Sequence, residues 1–403
     1  MAIETENKWA FRILLLMALT TNISTGVMVV SIAIVGLIAV AGGVHRRQLP
    51  AVDRGMVKAV LLYLVAWLIC AIGAREQTMS LHAVLGTSYR FLPLFFVLLY
   101  VRTKEQVRFL VLAFAVSVCV NNLVAVWQIA THGLLVWRPA GLVHTATFLG
   151  SHMLMAIPVL FFFSQKVYFS LMERRFLLGM MIFSMVILIL TQTRGAWIAF
   201  GFVMIAYVIL EQHFRRRLIV GCLIGLVCVG SVAMLSPNYG QRIMSITDPK
   251  MQSNLERTYM WRAAISMWEE HPATGVGMDE YAWYYNAVYI PPEATERPDV
   301  GAPPETGHTH PHNNILKHLS EGGVVGLTAY LVLHGYILLR LWRQYRKEHD
   351  RAAFSCALMG ILAFLGVHLE GMTDTNINQL SILTEYCFLI GLSLLAGRLE
   401  VDA

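Results

Sequence analysis

Charge is what this chain has least of. Only 14% of its 403 residues are Asp, Glu, Lys or Arg, where a soluble domain carries roughly 25%. With 57% hydrophobic residues and a mean hydropathy of +0.59, a water-soluble fold of this size could not hide its apolar surface. The surrounding solvent is largely lipid. Cysteine is scarce too. Cys70, Cys119, Cys222, Cys228, Cys356 and Cys387 all lie inside apolar runs, which excludes a disulfide framework and a cysteine metal site and leaves small-side-chain packing. The net charge of +6 comes with no basic face interleaved with aromatics, so no nucleic-acid partner is expected. No small-residue cleavage site follows the apolar run Ile13 to Leu19, and a second run begins near Val27. The first run is therefore read as a retained span. No internal repeat is found.

Long apolar runs are what the chain has in plenty. A helix needs about 20 apolar residues to cross a bilayer core. About twelve runs qualify, near 9–24, 26–44, 57–73, 82–101, 107–131, 146–164, 176–192, 195–212, 217–235, 313–339, 352–369 and 378–397. Basic residues gather in alternate loops: Arg46, Arg47, Arg54 and Lys58; Arg102, Lys104 and Arg108; Lys166, Arg174 and Arg175; Arg215, Arg216 and Arg217; Arg340, Arg343, Arg346, Lys347 and Arg351. With Lys8, Arg12 and Arg398 near the ends, that side holds 21 of the 31 basic residues. An excess of Lys and Arg marks the cytoplasm. Both termini are expected inside, and the long loop from about Ser236 to Pro311 outside. The expectation is an all-α polytopic integral membrane protein in three parts: a bundle over 1–235, an external loop over 236–311 and a second bundle over 312–403.

Within that loop, SNLERTYMWRAAISMWEEH reads as one amphipathic helix. Ser253 and Glu256 have capping-box spacing, and Pro272 ends the pattern. Leu255, Trp261, Ile265 and Trp268 share a stripe suited to the membrane surface or the top of the bundle. ATGVG reads as a turn, EYAWYYNAVY is densely aromatic, and PPEATERPDVGAPPETG reads as a mobile Pro-rich loop.

Residues 308–314 spell HTHPHNN at the mouth of the tenth run. Pro311 suits the first helical position, which puts His312 in the first turn. There the positive end of the helix disfavours imidazolium, so the ring stays neutral as a base must. The plain alternative is a histidine ending a helix in water. A third reading has His308, His310 and His312 project to one side of an extended segment and hold zinc; Pro311 and the helix start break that geometry. A pH switch is the fourth.

Arg194, in LTQTRGAW at the external boundary of two runs, is either a snorkelling anchor beside Trp197 or a fork for phosphate oxygens. Arg257 and Arg262 lie on the loop helix about 140° apart, so only one of them faces a given site. Arg90, in TSYRFLP, is a cation within a span and needs a partner. Asp374 and Glu370, at the external end of the eleventh run, are candidate partners for His or Arg.

These pieces resemble a known family. His312 and Asn313, nine residues, Gly323, two residues and Gly326 are similar to the His-Asn and Gly-x-x-Gly motif of bacterial O-antigen ligases, within the O-antigen ligase and polymerase superfamily. TRGAW, then RTYMW, then HPATGVG, then the His-Asn motif after a long loop, follow that superfamily in order and spacing over roughly 190–340. The resemblance implies a GT-C-like glycosyltransferase of the bacterial inner membrane with a periplasmic site. It would take a glycan from undecaprenyl diphosphate to a sugar hydroxyl of lipid A-core, with no metal and no cofactor. Carried over by motif, His312 is the catalytic histidine and Arg194 and Arg257 hold the donor diphosphate, with Arg262 and Arg90 as further candidates. Asn313, Asp374 and His310 stand as supporting residues, although His308 and His310 fall outside the motif itself. Tyr281 to Tyr289 would stack on sugars or form an interface belt, and Gly322, Gly323 and Gly326 would permit close helix packing. The rivals are a polymerase using the same donor, a protein O-glycan transferase, and a transporter, which would keep its charges near the midplane.

Overall fold

The computed structural model describes residues 2–46, 53–134, 136–211, 237–299, 301–348 and 355–401, together with residues 216, 219, 230 and 234. Of the expected ninth run only residues 219, 230 and 234 are described; Cys222, Cys228, Arg215 and Arg217 lie outside the described residues, as do Arg47 and Arg351. Every element described is helical.

The helices are α1 (Ala2–Thr20), α2 (Thr25–Arg46), α3 (Arg54–Ile72), α4 (Gln77–Ser88), α5 (Leu92–Tyr100), α6 (Lys104–His132), α7 (Ala146–Ser164), α8 (Leu171–Leu190) and α9 (Arg194–Leu210). After them come α10 (Pro237–Met244), α11 (Gln252–Glu270), a short turn Tyr281–Tyr284, α12 (Asn314–Glu348), α13 (Cys356–Glu370) and α14 (Leu380–Val401). Among the described residues, seven candidate spans are long and apolar enough to cross a membrane, and α9 and α13 are shorter apolar helices. The protein is an all-α membrane protein. Its helix starts follow local chemistry. Thr103 with Gln106 and Ser170 with Glu173 form capping boxes, and Asp53, Thr145 and Ser355 accept from the backbone N–H groups that open α3, α7 and α13.

The most buried spans are α7 and α14, with 83% and 89% of their windows inside the protein. They form the centre of the bundle, while α3 turns Leu61, Leu62, Val65, Ile69 and Ile72 outward. Several polar groups at the centre pair with one another. His152 Nδ1 lies 2.8 Å from Glu385 Oε2, and Asn22 Nδ2 donates to the same oxygen at 2.8 Å, joining α7, α14 and the end of α1.

The long loop ahead of α12 locks onto that helix where it breaks. Gly323 departs from helical geometry at φ 56°, ψ −155°. The freed carbonyls of Ser320 and Glu321 accept from the N–H groups of Val276 and Gly277, and the N–H groups of Val324 and Val325 donate to Pro272 and Ala273. HPATGVG is thus a clip that satisfies the broken turn, meeting the requirement that backbone polar groups within a membrane find partners in the protein. A Cβ on Gly323 would fall 2.5 Å from the Ala273 carbonyl, and one on Gly275 would fall 2.4 Å from Glu321. Gly322 and Gly326 lie against Trp67, the close packing expected of them, whereas Gly323 is needed for its backbone.

Two expectations for the loop helix change. Met251, not a Ser253–Glu256 capping box, precedes α11, and it makes no side-chain cap. The buried face of α11 is Glu256, Met260, Ala263, Ala264 and Met267, packed on Val276, Tyr281 and Tyr285; Ile265, from the expected stripe, is exposed. Two methionines and two alanines on this face pack against loop and bundle. Tyr281 and Tyr285 are fully buried and stacked at 5.8 Å, so these two rings are core rather than sugar platforms or interface anchors.

Candidate active site

Where α9, α10, α11 and the loop between α13 and α14 converge, they enclose a cavity of about 230 Å³. Arg138, Arg194, Arg242 and Arg257 line it, together with His308, His312, Asp374, Glu370, Glu256 and Glu296. The sequence reading named Arg194, Arg257, His312 and Asp374 for this site; Arg138 and Arg242 it did not.

Three of the four arginines are fixed by neutral oxygen. Arg194 Nη1 donates to the Ser245 carbonyl at 2.7 Å and its Nη2 to Ser253 Oγ at 2.9 Å. Arg242 Nε donates to the Gln192 carbonyl at 3.2 Å, and Arg138 Nε to the Thr191 carbonyl at 3.1 Å. Among the described residues Arg257 makes neither a hydrogen bond nor an ion pair, and none of the four has a carboxylate within ion-pair distance. Burial, then the neighbouring guanidiniums of Arg242, Arg194 and Arg257, pull Arg138 down to about 10. Burial and Arg257 lower Arg242, and burial lowers Arg257. Like charges crowded into a partly dry site are costly unless an anion joins them.

His312 is placed differently from expectation. Helix α12 begins at Asn314, and Asn313 caps it by accepting from the Leu316 N–H at 3.0 Å. His312 therefore stands outside the first turn, where the field of the helix end is strongest, in a left-handed conformation with φ 50°. A carboxylate faces its ring instead: Nδ1 lies 2.9 Å from Asp374 Oδ1. The Asp374 carboxyl is buried, which pushes it up, but the hydrogen bond and charge of His312, with His310 and the Thr375 N–H, together outweigh burial and hold it below its ordinary value. An ionised Asp374 accepts, so Nδ1 carries the proton and Nε2 is left basic. Asn313 positions the turn, its N–H donating to Thr375 Oγ1 and its Nδ2 to the Met372 carbonyl. Trp261 Nε1 donates to the Pro311 carbonyl at 2.9 Å, tying α11 to the same turn.

The other named residues separate. His308 lines the cavity and sits 3.2 Å from Glu296. His310 does not line it; its ring packs edge-on against His312 at 4.4 Å, and burial drives it down to about 3. Arg262 is exposed on the far side of α11. Arg90 sits in a 3-10 turn between α4 and α5, donates to the Asn378 carbonyl at 2.6 Å and does not line the cavity. A backbone carbonyl takes one donor of this cation, and its Nε is buried without a partner. Glu370 is held by Ser151 and by Asn376 Nδ2 at 2.9 Å. His310, His312 and Asp374 bring one donor atom each to within 4.8 Å of one another, a juxtaposition the sequence concealed because Asp374 is far along the chain.

Fold and site together describe a helical membrane protein with a polar, arginine-rich cavity at the mouth of its bundle. Residues 179–331 match the family described as O-Antigen ligase. The chain is also similar to the O-antigen ligase of Salmonella typhimurium, at 23% identity over 204 residues, a match spanning 49% of this chain and 48% of that protein. The resemblance drawn from TRGAW, RTYMW, HPATGVG and the His-Asn motif is thus shown over the segment that carries them.

Proposed function

We propose that the protein is an O-antigen ligase, moving a glycan from undecaprenyl diphosphate to a sugar hydroxyl of lipid A-core on the periplasmic face of the inner membrane. In this reading both termini are cytoplasmic, about twelve helices span, and the long loop is periplasmic. What carries it is the cluster of four guanidiniums without carboxylate partners, gathered around one cavity with an aspartate-bound histidine.

The chemistry requires two things. The leaving group is a diphosphate, stable as an anion, so positive charge replaces a general acid. The acceptor hydroxyl needs a base. In the proposed step Nε2 of His312 takes the acceptor proton as the sugar oxygen bonds to the donor's anomeric carbon. The bond from that carbon to the diphosphate oxygen breaks, and Arg257, Arg194, Arg138 and Arg242 take up the charge left on the phosphates. Asp374 holds the tautomer and steadies the imidazolium. A single displacement inverts the anomeric centre; a retained configuration in the product would rule it out. Beside the cavity a groove of about 470 Å³ shares Arg138 and Thr147 with it and is lined by Trp127, His132, Trp137 and His144. Aromatic faces with hydrogen-bonding neighbours suit sugar rings.

The deciding experiment incubates purified protein with lipid-linked O-antigen and lipid A-core in detergent containing EDTA. Transfer to lipid A-core that survives EDTA and is lost in His312→Ala is expected. Transfer abolished by EDTA would make a metal part of the reaction, and longer lipid-linked chains without modified lipid A-core would make the protein a polymerase.

A further inference from the structure

We propose that His310, His312 and Asp374 form a binding site for a borderline-soft divalent cation, Zn²⁺ above all, and that the bound ion switches the enzyme off. The inhibitory half rests on the role given to His312 above; the binding half does not.

His310 and His312 flank Pro311, and their rings meet edge to face with centroids 4.4 Å apart. Asp374 Oδ1 is 2.9 Å from His312 Nδ1, and donor atoms of all three residues lie within 4.8 Å of one another. Zn–N and Zn–O bonds of about 2.0–2.2 Å put the ligands of one tetrahedral ion roughly 3.4 Å apart. The widest separation must shorten by about 1.4 Å at most to reach that spacing. A second observation is independent of the clustering. His310 Nδ1 is sealed from solvent and has no hydrogen-bond partner. An orphaned buried nitrogen is costly and calls for an explanation, and an ion between the three residues would give it a partner.

The donor set decides which ion. Two imidazoles and one carboxylate suit Zn²⁺, Co²⁺ or Cu²⁺, whereas Mg²⁺ and Ca²⁺ require oxygen donors. Arg257 lies close enough to act on Asp374, and Lys317 on His310. Both repel a cation, which disfavours ions held by charge alone and leaves those that form strong bonds to nitrogen. Three protein ligands leave one position for water or a phosphate oxygen.

The effect on the reaction follows from the two ring nitrogens of His312. When the ion bonds to Nδ1, the proton that Nδ1 shared with Asp374 moves to Nε2. Nε2 then has no lone pair for the acceptor hydroxyl, and Asp374 is engaged by the ion. No proton is lost or gained, yet the base is gone. The run HTHPHNN thereby acquires a use for the histidine that the family motif leaves over.

The test uses the full-length protein in detergent, stripped with EDTA and desalted. Titration with CoCl₂, in the absence of donor and acceptor, is expected to give the visible absorption of one tetrahedral Co²⁺ per chain, displaced by ZnCl₂ and not by MgCl₂. His310→Gln and Asp374→Asn should each weaken that binding by about tenfold or more, and His308→Gln should not. In the transfer assay ZnCl₂ should inhibit and EDTA should restore the rate; His310→Gln, compared with its own zinc-free rate, should need about tenfold more zinc for the same inhibition. Absence of the cobalt spectrum, cobalt binding unchanged in His310→Gln, or a transfer rate raised by zinc would each overturn the proposal. Cobalt binding lost in His310→Gln supports the site whether or not lipid A-core proves to be the acceptor.

Discussion

Two regions of this molecule bury charge, and they treat it in opposite ways. Inside the bundle several buried acids meet a nitrogen base on a neighbouring turn or helix. His152 meets Glu385 at 2.8 Å, and Lys317 meets Glu321 at 2.7 Å and Asp279 at 3.2 Å. At the cavity four arginines are crowded together, each held only by neutral oxygens or by nothing. Matched charge is finished business and serves the fold. Unmatched charge raises the free energy of the empty protein and lowers it once an anion arrives, which is what a site for a diphosphate requires.

The sharpest way to break the comparison is to unmatch the interior. Lys317→Met leaves Glu321 buried without its cation, and a loss of about 3–5 kcal/mol is expected, seen as a collapse of folded yield and melting temperature in detergent. His312→Ala should leave melting nearly unchanged while lowering turnover by about 10²–10⁴-fold; equal losses of both would make His312 structural. Arg257→Ala should lower turnover by roughly 10²–10³-fold and abolish the rise in melting temperature that inorganic pyrophosphate gives the wild type. That rise corresponds to about 2.7 kcal/mol at a hundred times Kd. Glu256 sharpens the contrast by pH. Burial raises its carboxyl, but hydrogen bonds from the Thr295 N–H and hydroxyl and from Gln252 outweigh burial and depress it. A depressed folded value stabilises above the unfolded value and is lost as pH falls through the folded one. Glu256→Gln should therefore cost about 1 kcal/mol at pH 7, and the gap should close below about pH 4.3. Smallest of all, Arg262→Ala, on the exposed side of α11, should change turnover less than about twofold.

Much of this was readable from residues alone, for physical reasons that differ by part. Apolar runs report spans because lipid imposes one length and one periodicity on any helix that crosses it. The pair Arg257 and Arg262 could be separated into one inward and one outward residue by helix period, though not assigned; in the fold Arg257 lines the cavity and Arg262 is exposed. Arg138 and Arg242 gave no signal, since a lone arginine in a loop looks the same whether it faces water or a cavity. The start of α12 was misread because Pro311 and Asn313 are both good openers, and it is Gly371, whose carbonyl takes the Asn314 N–H at 2.7 Å, that sets the register. Arg90 shows the limit of reasoning from burial: a cation within a span needs a partner, but that partner can be a backbone carbonyl.

The clip at Gly323 has a bearing on how the chain is made. Residues 272–277 complete the hydrogen bonding of residues 320–325, yet they leave the ribosome first. The loop segment is made before the helix that will receive it exists, and its backbone groups must wait for their partners. Helix α12 in turn carries an open turn until the clip arrives. Insertion and loop folding are therefore one event in time, and the His312 turn, strung between clip and helix, is among the last parts of the molecule to take shape.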